Sequence, residues 1–139
     1  MPQDYNLPND YTFVENSWGN SFYKTYDKMN YLDAKSQCES DGAFLATPRS
    51  EEENAFIFSL LSGESMWIGV NDIDENGKFV AVNGDLTFTK WNAGEPNGRC
   101  CPNGVHIINE RVVPNGFWND DRLGSLKGFV CSFDIPVSL

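Results

Sequence analysis

Between Asn71 and Asn103 the sequence is turn chemistry almost throughout. Asp72, Asp74 and Glu75 are followed by the pairs Asn76-Gly77, Asn83-Gly84 and Asn97-Gly98, then by Pro102-Asn103-Gly104. Glycine and asparagine accept positive φ, proline presets φ, and Asp and Asn side chains bond nearby backbone. An irregular stretch this long inside a compact domain is usually functional or disordered. Trp91 and the embedded acids argue for function. One hairpin is expected inside the stretch, Lys78–Val82 against Asp85–Thr89 around Asn83-Gly84.

Within this region Trp91-Asn92-Ala93-Gly94-Glu95-Pro96-Asn97 is answered later by Trp118-Asn119-Asp120-Asp121. Glu95, Asn97, Asn119 and Asp120 are hard oxygen donors, with no thiolate or imidazole among them. Ca²⁺ prefers that donor set and takes roughly six to eight oxygens in flexible geometry. A loop calcium site that holds something else is therefore the expectation. Taken alone, Glu-Pro-Asn-Gly is also simply a good turn, and Trp-Asn-Asp simply a strand end.

The chain has 139 residues, 14% of them aromatic and 40% hydrophobic, which is enough for one globular domain with a proper core. Residues 1–10 read as a loosely held arm and 11–139 as the domain. A net charge of −10 disfavours nucleic-acid and anionic-membrane partners; it suits cation binding or plain solubility. No stretch is long and apolar enough to insert into a membrane. The four cysteines form no C-x-x-C pattern and the sole histidine is His106, so a zinc site is not expected. Widely separated cysteines in a small aromatic-rich domain fit an oxidising, extracellular setting. The opening Met-Pro-Gln-Asp-Tyr-Asn is not a signal peptide, so secretion would use a leader already removed or another route.

Taken in order, Tyr11–Thr25 reads as short strands. Residues 30–41 read as a helix, with Asn30 as cap and Tyr31, Ala34 and Cys38 on the buried face. Gly42 stops it. Phe44-Leu45-Ala46 reads as an apolar linker. A second helix spans 50–62, with Ser50 and Glu53 as a capping box and Phe56, Ile57, Leu60 and Leu61 as its buried stripe. Glu51, Glu52 and Glu53 suit the positive helix end rather than a metal. Met66–Val70 is a central strand in which Gly69 marks a close backbone approach. Val105–Asn109, Phe117–Asn119 and Gly128–Phe133 are further strands. Strand, helix, helix, strand, long loop, strands is an α+β order.

These residues resemble the C-type lectin domain from roughly Phe13 to Phe133. The matches, in order, are the helix Tyr31–Cys38; Gly42–Leu45 followed by Ser50–Ile57; Trp67-Ile68-Gly69; Trp91; Glu95-Pro96-Asn97; Trp118-Asn119-Asp120; and Phe129-Val130-Cys131. The resemblance implies two helices packed on small antiparallel sheets with a long calcium-binding loop. It implies a Cys38–Cys131 disulfide and a cis Glu95–Pro96 bond that lets the flanking side chains point at one Ca²⁺. It implies ligation by Glu95, Asn97, Asn119 and Asp120, with the Asp120 carbonyl as a further donor. Two sugar hydroxyls would complete the shell, the carboxylates accepting from them and the amides donating to them. Glu-Pro-Asn implies equatorial 3- and 4-hydroxyls, as in mannose and N-acetylglucosamine (GlcNAc), and fucose in another arrangement.

The chain also departs from that pattern. The second family disulfide would need cysteines at Gly104 and Leu123, and neither is cysteine. Instead Cys100 and Cys101 stand together in the loop, as a strained vicinal bridge, as an inter-chain bridge making a homodimer, or as free thiols. Pro102-Asn103 replaces a further acid, leaving Asn103 as an additional ligand. An auxiliary ion near Asp72 and Asn76 would lack an acidic partner at Gly98. Trp67, Trp91 and His106 read as packed residues. Asp120-Asp121 does not make a glycosidase pair, because adjacent strand residues face opposite ways. The reading is a secreted, non-enzymatic, calcium-dependent, mannose-type lectin. The rival is the same fold binding a protein or ice surface, with calcium only ordering the loop.

Overall fold

The computed structural model describes residues 10–16, 19–61, 63–97, 102–109 and 116–134. In chain order the elements are β1 (Thr12–Asn16), β2 (Gly19–Met29), α1 (Tyr31–Ser40), β3 (Phe44–Leu45), α2 (Glu51–Ser59), β4 (Met66–Asn71), β5 (Val80–Ala81), β6 (Asn103–Ile107), β7 (Trp118–Arg122) and β8 (Lys127–Asp134). The domain is α+β, with two helices on a mixed sheet.

α1 starts where Asn30, in extended conformation, accepts the Asp33 N–H on its side-chain oxygen at 2.9 Å. Tyr31, Ala34 and Cys38 recur at helical spacing and are buried. Gly42 then takes φ +80°, a value a side chain would resist, and the helix ends. Cys38 is bonded to Cys131 of β8 across 93 residues, with Cα atoms 5.4 Å apart.

α2 begins with the Ser50 hydroxyl accepting the Glu53 N–H at 3.1 Å. The reciprocal half of the capping box lands one residue early. Glu53 accepts from the Arg49 N–H at 3.0 Å, and its carboxylate is also held by the Arg49 guanidinium at 2.8 and 2.9 Å and by the Tyr23 hydroxyl at 2.6 Å. The side chain is 1% exposed, so the acid serves as a cap and a buried anchor. α2 is shorter than the 50–62 expected. Leu60 and Leu61 bond carbonyls three residues back, which tightens the last turn and ends the helix.

The strand path runs β1-β2-β8-β4-β6-β7, with β3 on β8 and β5 on β4. All pairings are antiparallel except β4 with β8, where Met66 faces Gly128 and Trp67 faces Phe129. That parallel pair joins what were expected as separate small sheets into one. β4 is buried along its whole length. A Cβ on Gly69 would stand 2.4 Å from the Leu45 carbonyl and from the Thr47 hydroxyl, so the close approach expected there is real.

Two expectations fail locally. Phe44–Leu45 is not a linker: it pairs with Ser132 and Cys131 of β8. Asp85–Thr89 forms no strand. The Asn83-Gly84 turn is present, with Ala81 bridged to Gly84, but Val80–Ala81 pairs with β4 instead. Leu86 and Phe88 pack onto the core cluster containing Ile68, Val105 and Trp118, and burial there outweighs a strand ladder. Among the described residues no helix is long and apolar enough to cross a membrane.

Candidate functional site

The site rests on Trp118, fully buried near the start of β7. Its indole N–H donates to the Asn54 side-chain oxygen at 2.8 Å, and the Asn54 amide donates to the Gly116 carbonyl at 2.8 Å. One side chain of α2 thus fixes the approach to β7. Trp91 packs edge-on against Trp118 at 5.7 Å, and Phe79 against Trp91 at 5.2 Å. Trp67 is fully buried and Trp91 half-buried, so both act as packing residues, as expected.

Backbone pairing then ties the loop to the outer edge of β7. Trp118 donates to the Lys90 carbonyl at 2.7 Å and accepts the Asn92 N–H at 2.9 Å. Backbone groups alternate in direction along a strand, so Asp120 presents its N–H and C=O to that same edge. The loop leaves the strand after Asn92. Glu95 donates to the Asn92 carbonyl at 2.9 Å, Gly94 takes φ +83°, and the Glu95–Pro96 bond is cis.

This turn brings Glu95, Asn97 and Asp120 together. The Asn97 N–H is shared between Glu95 Oε1 at 3.0 Å and Asp120 Oδ1 at 3.1 Å. Two carboxylates converge on one amide hydrogen, an arrangement of like charges that a cation would relieve. Asn119 precedes Asp120 on β7 and, since adjacent strand residues alternate, shares the face of its register partner His106; its side-chain oxygen is buried with no hydrogen-bond partner among the described residues. A buried carbonyl oxygen left unpaired costs about 1–3 kcal/mol, so this atom also calls for a donor or a cation. Among the described residues no three His, Cys, Asp or Glu side chains cluster as a metal site, so any ion here must draw on the carboxamides. Two carboxylates and two carboxamides fit Ca²⁺ and do not fit Zn²⁺.

The remaining candidates fall elsewhere. Asn103 opens β6 opposite Arg122, two positions along from the Val105–Asp120 pair and on the same face. Its backbone N–H is held by Asp72 Oδ1 at 2.6 Å. Asp72 Oδ2 accepts the Gly77 N–H at 2.9 Å. Both oxygens of Asp72 are therefore engaged by amides, which argues against the auxiliary ion near Asp72 and Asn76. Cys100 and Cys101 lie outside the described residues. Asp121 pairs with Lys127 at 3.1 Å. Burial pushes its pKa up, but Ser125, the Arg122 amide and Lys127 outweigh burial and hold it below the usual range. It is an ion-paired anion facing away from Asp120. His106 is 5% exposed and packs edge-on to Trp67 at 6.1 Å, as a core residue.

The positions of the missing disulfide have a structural explanation that the sequence alone does not reveal. A Cβ on Gly104 would lie 2.2 Å from the Tyr31 ring. That ring occupies the space a cysteine side chain would need there. The Tyr31 N–H bonds the Leu123 carbonyl at 2.9 Å, and its hydroxyl sits 3.2 Å from the carbonyls of Ile68 and Val70. A tyrosine from α1 thus braces both positions where the bridge would be.

A sequence model described as the lectin C-type domain matches residues 27–133. Lectin BRA-3 of Megabalanus rosa is 36% identical over 123 residues, covering 84% of this chain and 73% of that protein. Among solved structures, the cow C-type carbohydrate-recognition domain of CD23, determined in the presence of a GlcNAc2Man3 oligosaccharide, superposes with a TM-score of 0.78. It is 25% identical and the match covers 94% of this chain and 97% of that one. A calcium-independent type II antifreeze protein also superposes at 0.78, with 18% identity, over 91% of this chain and 93% of its own; at that identity the likeness is one of fold.

Proposed function

The chain belongs to the C-type lectin domain family, a family of non-enzymatic binding modules whose members often hold Ca²⁺, and on that premise we propose that it binds glycans through a loop Ca²⁺. The observation that carries the proposal is the shared Asn97 N–H, which draws Glu95 and Asp120 to one point; Asn119, the preceding residue of β7, carries a buried side-chain oxygen without a partner among the described residues. Glu95, Asn97, Asn119 and Asp120 would hold the ion, with the Asp120 carbonyl and Asn103 as further donors. The ion would supply coordination positions for two vicinal hydroxyls. The Glu95 and Asp120 carboxylates would accept from those hydroxyls, and the Asn97 and Asn119 amides would donate to them. One donor and one acceptor beside each hydroxyl fixes the geometry of the pair, and the resemblance of Glu95-Pro96-Asn97 to the family's Glu-Pro-Asn motif implies equatorial 3- and 4-hydroxyls, as in mannose, N-acetylglucosamine or, in another arrangement, fucose. The Cys38–Cys131 bridge fits an oxidising compartment and hence secretion.

A glycan array read with Ca²⁺ and with chelator tests this. Mannose-type spots should bind with calcium and fade with chelator; binding that survives chelation would sink the mechanism and favour a protein or ice partner. Changing Glu95→Gln together with Asn97→Asp should move preference toward galactose. Unchanged mannose binding by that double variant would contradict the ligand assignment.

A further inference from the structure

The two ends of the long loop meet at Asp72. Its N–H donates to the Asn103 carbonyl at 3.2 Å, and its carboxylate accepts the Asn103 N–H at 2.6 Å. This is a reciprocal two-bond clasp between residues 31 positions apart, next to the Asn71–Gly104 register pair. The second carboxylate oxygen accepts the Gly77 N–H at 2.9 Å and closes the first turn of the loop on itself. Asp72 is 0% exposed. A carboxylate taken that far from water is costly unless hydrogen-bonded, and the amide bonds to it are of the strong charge-assisted kind. Neighbouring groups extend the clasp inward. Asn71 accepts the Ile73 N–H at 3.0 Å, and its amide donates to the Tyr31 hydroxyl at 3.2 Å, which ties the loop entrance to α1.

We infer that Asp72 is the positioning residue of the binding loop: without any metal of its own, it clasps the loop exit at Asn103 and so presets the geometry of the Glu95/Asn97/Asn119/Asp120 site. The part concerning that site rests on the function proposed above. Asp72 acts at a distance, through the backbone of β6, whose Val105 is the register partner of Asp120. Holding Asn103 fixes where the loop must return and hence how far the stretch carrying Glu95 and Asn97 can stray from β7. Residues that orient metal ligands typically change metal affinity by roughly 10–100-fold when altered.

The test is hydrogen exchange by NMR in chelator, with calcium titrations of the wild type and of Asp72→Asn. In the wild type the Gly77 and Asn103 amides should be protected without calcium, a measurement that needs no variant to fold. Asp72→Asn keeps the shape but loses the charge and one acceptor. It should speed exchange at those two amides while core amides of β4 and β8 stay protected. Calcium should bind it roughly 10-fold or more weakly with unchanged stoichiometry, and saturating calcium should restore sugar binding. Protection that appears only with calcium would overturn the inference. So would a bound ion that disappears in Asp72→Asn, since Asp72 would then be a ligand, or a calcium midpoint that the variant leaves unmoved. A wild type with both amides protected but no calcium binding would refute the proposed function, and with it the positioning role, while leaving the clasp itself standing.

Discussion

Replacing Cys38 and Cys131 together by alanine is expected to lower the unfolding free energy by roughly 4–5 kcal/mol, the loop-closure value for a bridge spanning most of a domain. The bridge spans a sequence separation of 93 residues and encloses the whole irregular stretch from Asn71 to Asn103. Without it the unfolded chain regains that freedom and is favoured. A second, smaller loss comes from the folded state. Both cysteines are fully buried in the cluster of Tyr31, Ala34, Leu45, Trp67 and Phe129, and alanine leaves two sulfur-sized gaps there. Domains of this kind are stable by only about 5–15 kcal/mol in all, so the variant should sit near its margin at room temperature. Urea unfolding of the variant, and of wild type with and without reductant, measures this. A loss below about 2 kcal/mol would mean that the unfolded chain retains structure or that the entropic account is wrong for this bridge.

The helices and β4 are legible in the sequence because their determinants are local. Asn30 and Ser50 cap three residues away, and Gly42 stops α1 at its own position. The Trp91–Asn97 and Trp118–Asp120 motifs are short enough to be matched to a family as they stand. What the sequence hides is decided by partners far along the chain. Phe44–Leu45 is a strand only because β8 passes beside it. Leu86 and Phe88 alternate like a strand, yet they pack on the core cluster around Trp118, and no ladder forms. The pairing of Tyr31 with Gly104 joins α1 to β6, read from a ring filling the space where a Cβ would be. Asp72 carries no signal in the sequence that separates an amide clasp from a metal ligand, because the same carboxylate chemistry serves both. Only the two amide hydrogens pointing at it make the distinction.

Acid is expected to destabilise the fold through His106, separately from any effect on calcium. Burial first, and Lys127 second, push its pKa down to about 3, with Asp121 and Asp120 opposing weakly. An exposed imidazole in the unfolded chain titrates near 6.5. Between those values the unfolded chain binds a proton that the folded chain refuses. The stabilisation is therefore complete above about pH 6.5 and is lost as pH falls toward 3, by about 1.4 kcal/mol per pH unit and roughly 4–5 kcal/mol in all. The structure gives the refusal a physical basis. His106 Nδ1 is buried and makes no hydrogen bond among the described residues, so charging the ring would add a buried N–H where no bond is now made. Its register partner across β6 and β7 is Asn119. His106→Val keeps a strand-forming residue on β6 and removes the titration. In chelator, chemical unfolding of the variant between pH 6.5 and 4 should show a shallower loss than wild type, the difference approaching about 1.4 kcal/mol per unit. The carboxylates contribute equally to both proteins and cancel in the comparison. Parallel profiles for the two would show that the imidazole accepts its proton in the folded state and that the buried position is not what holds it neutral.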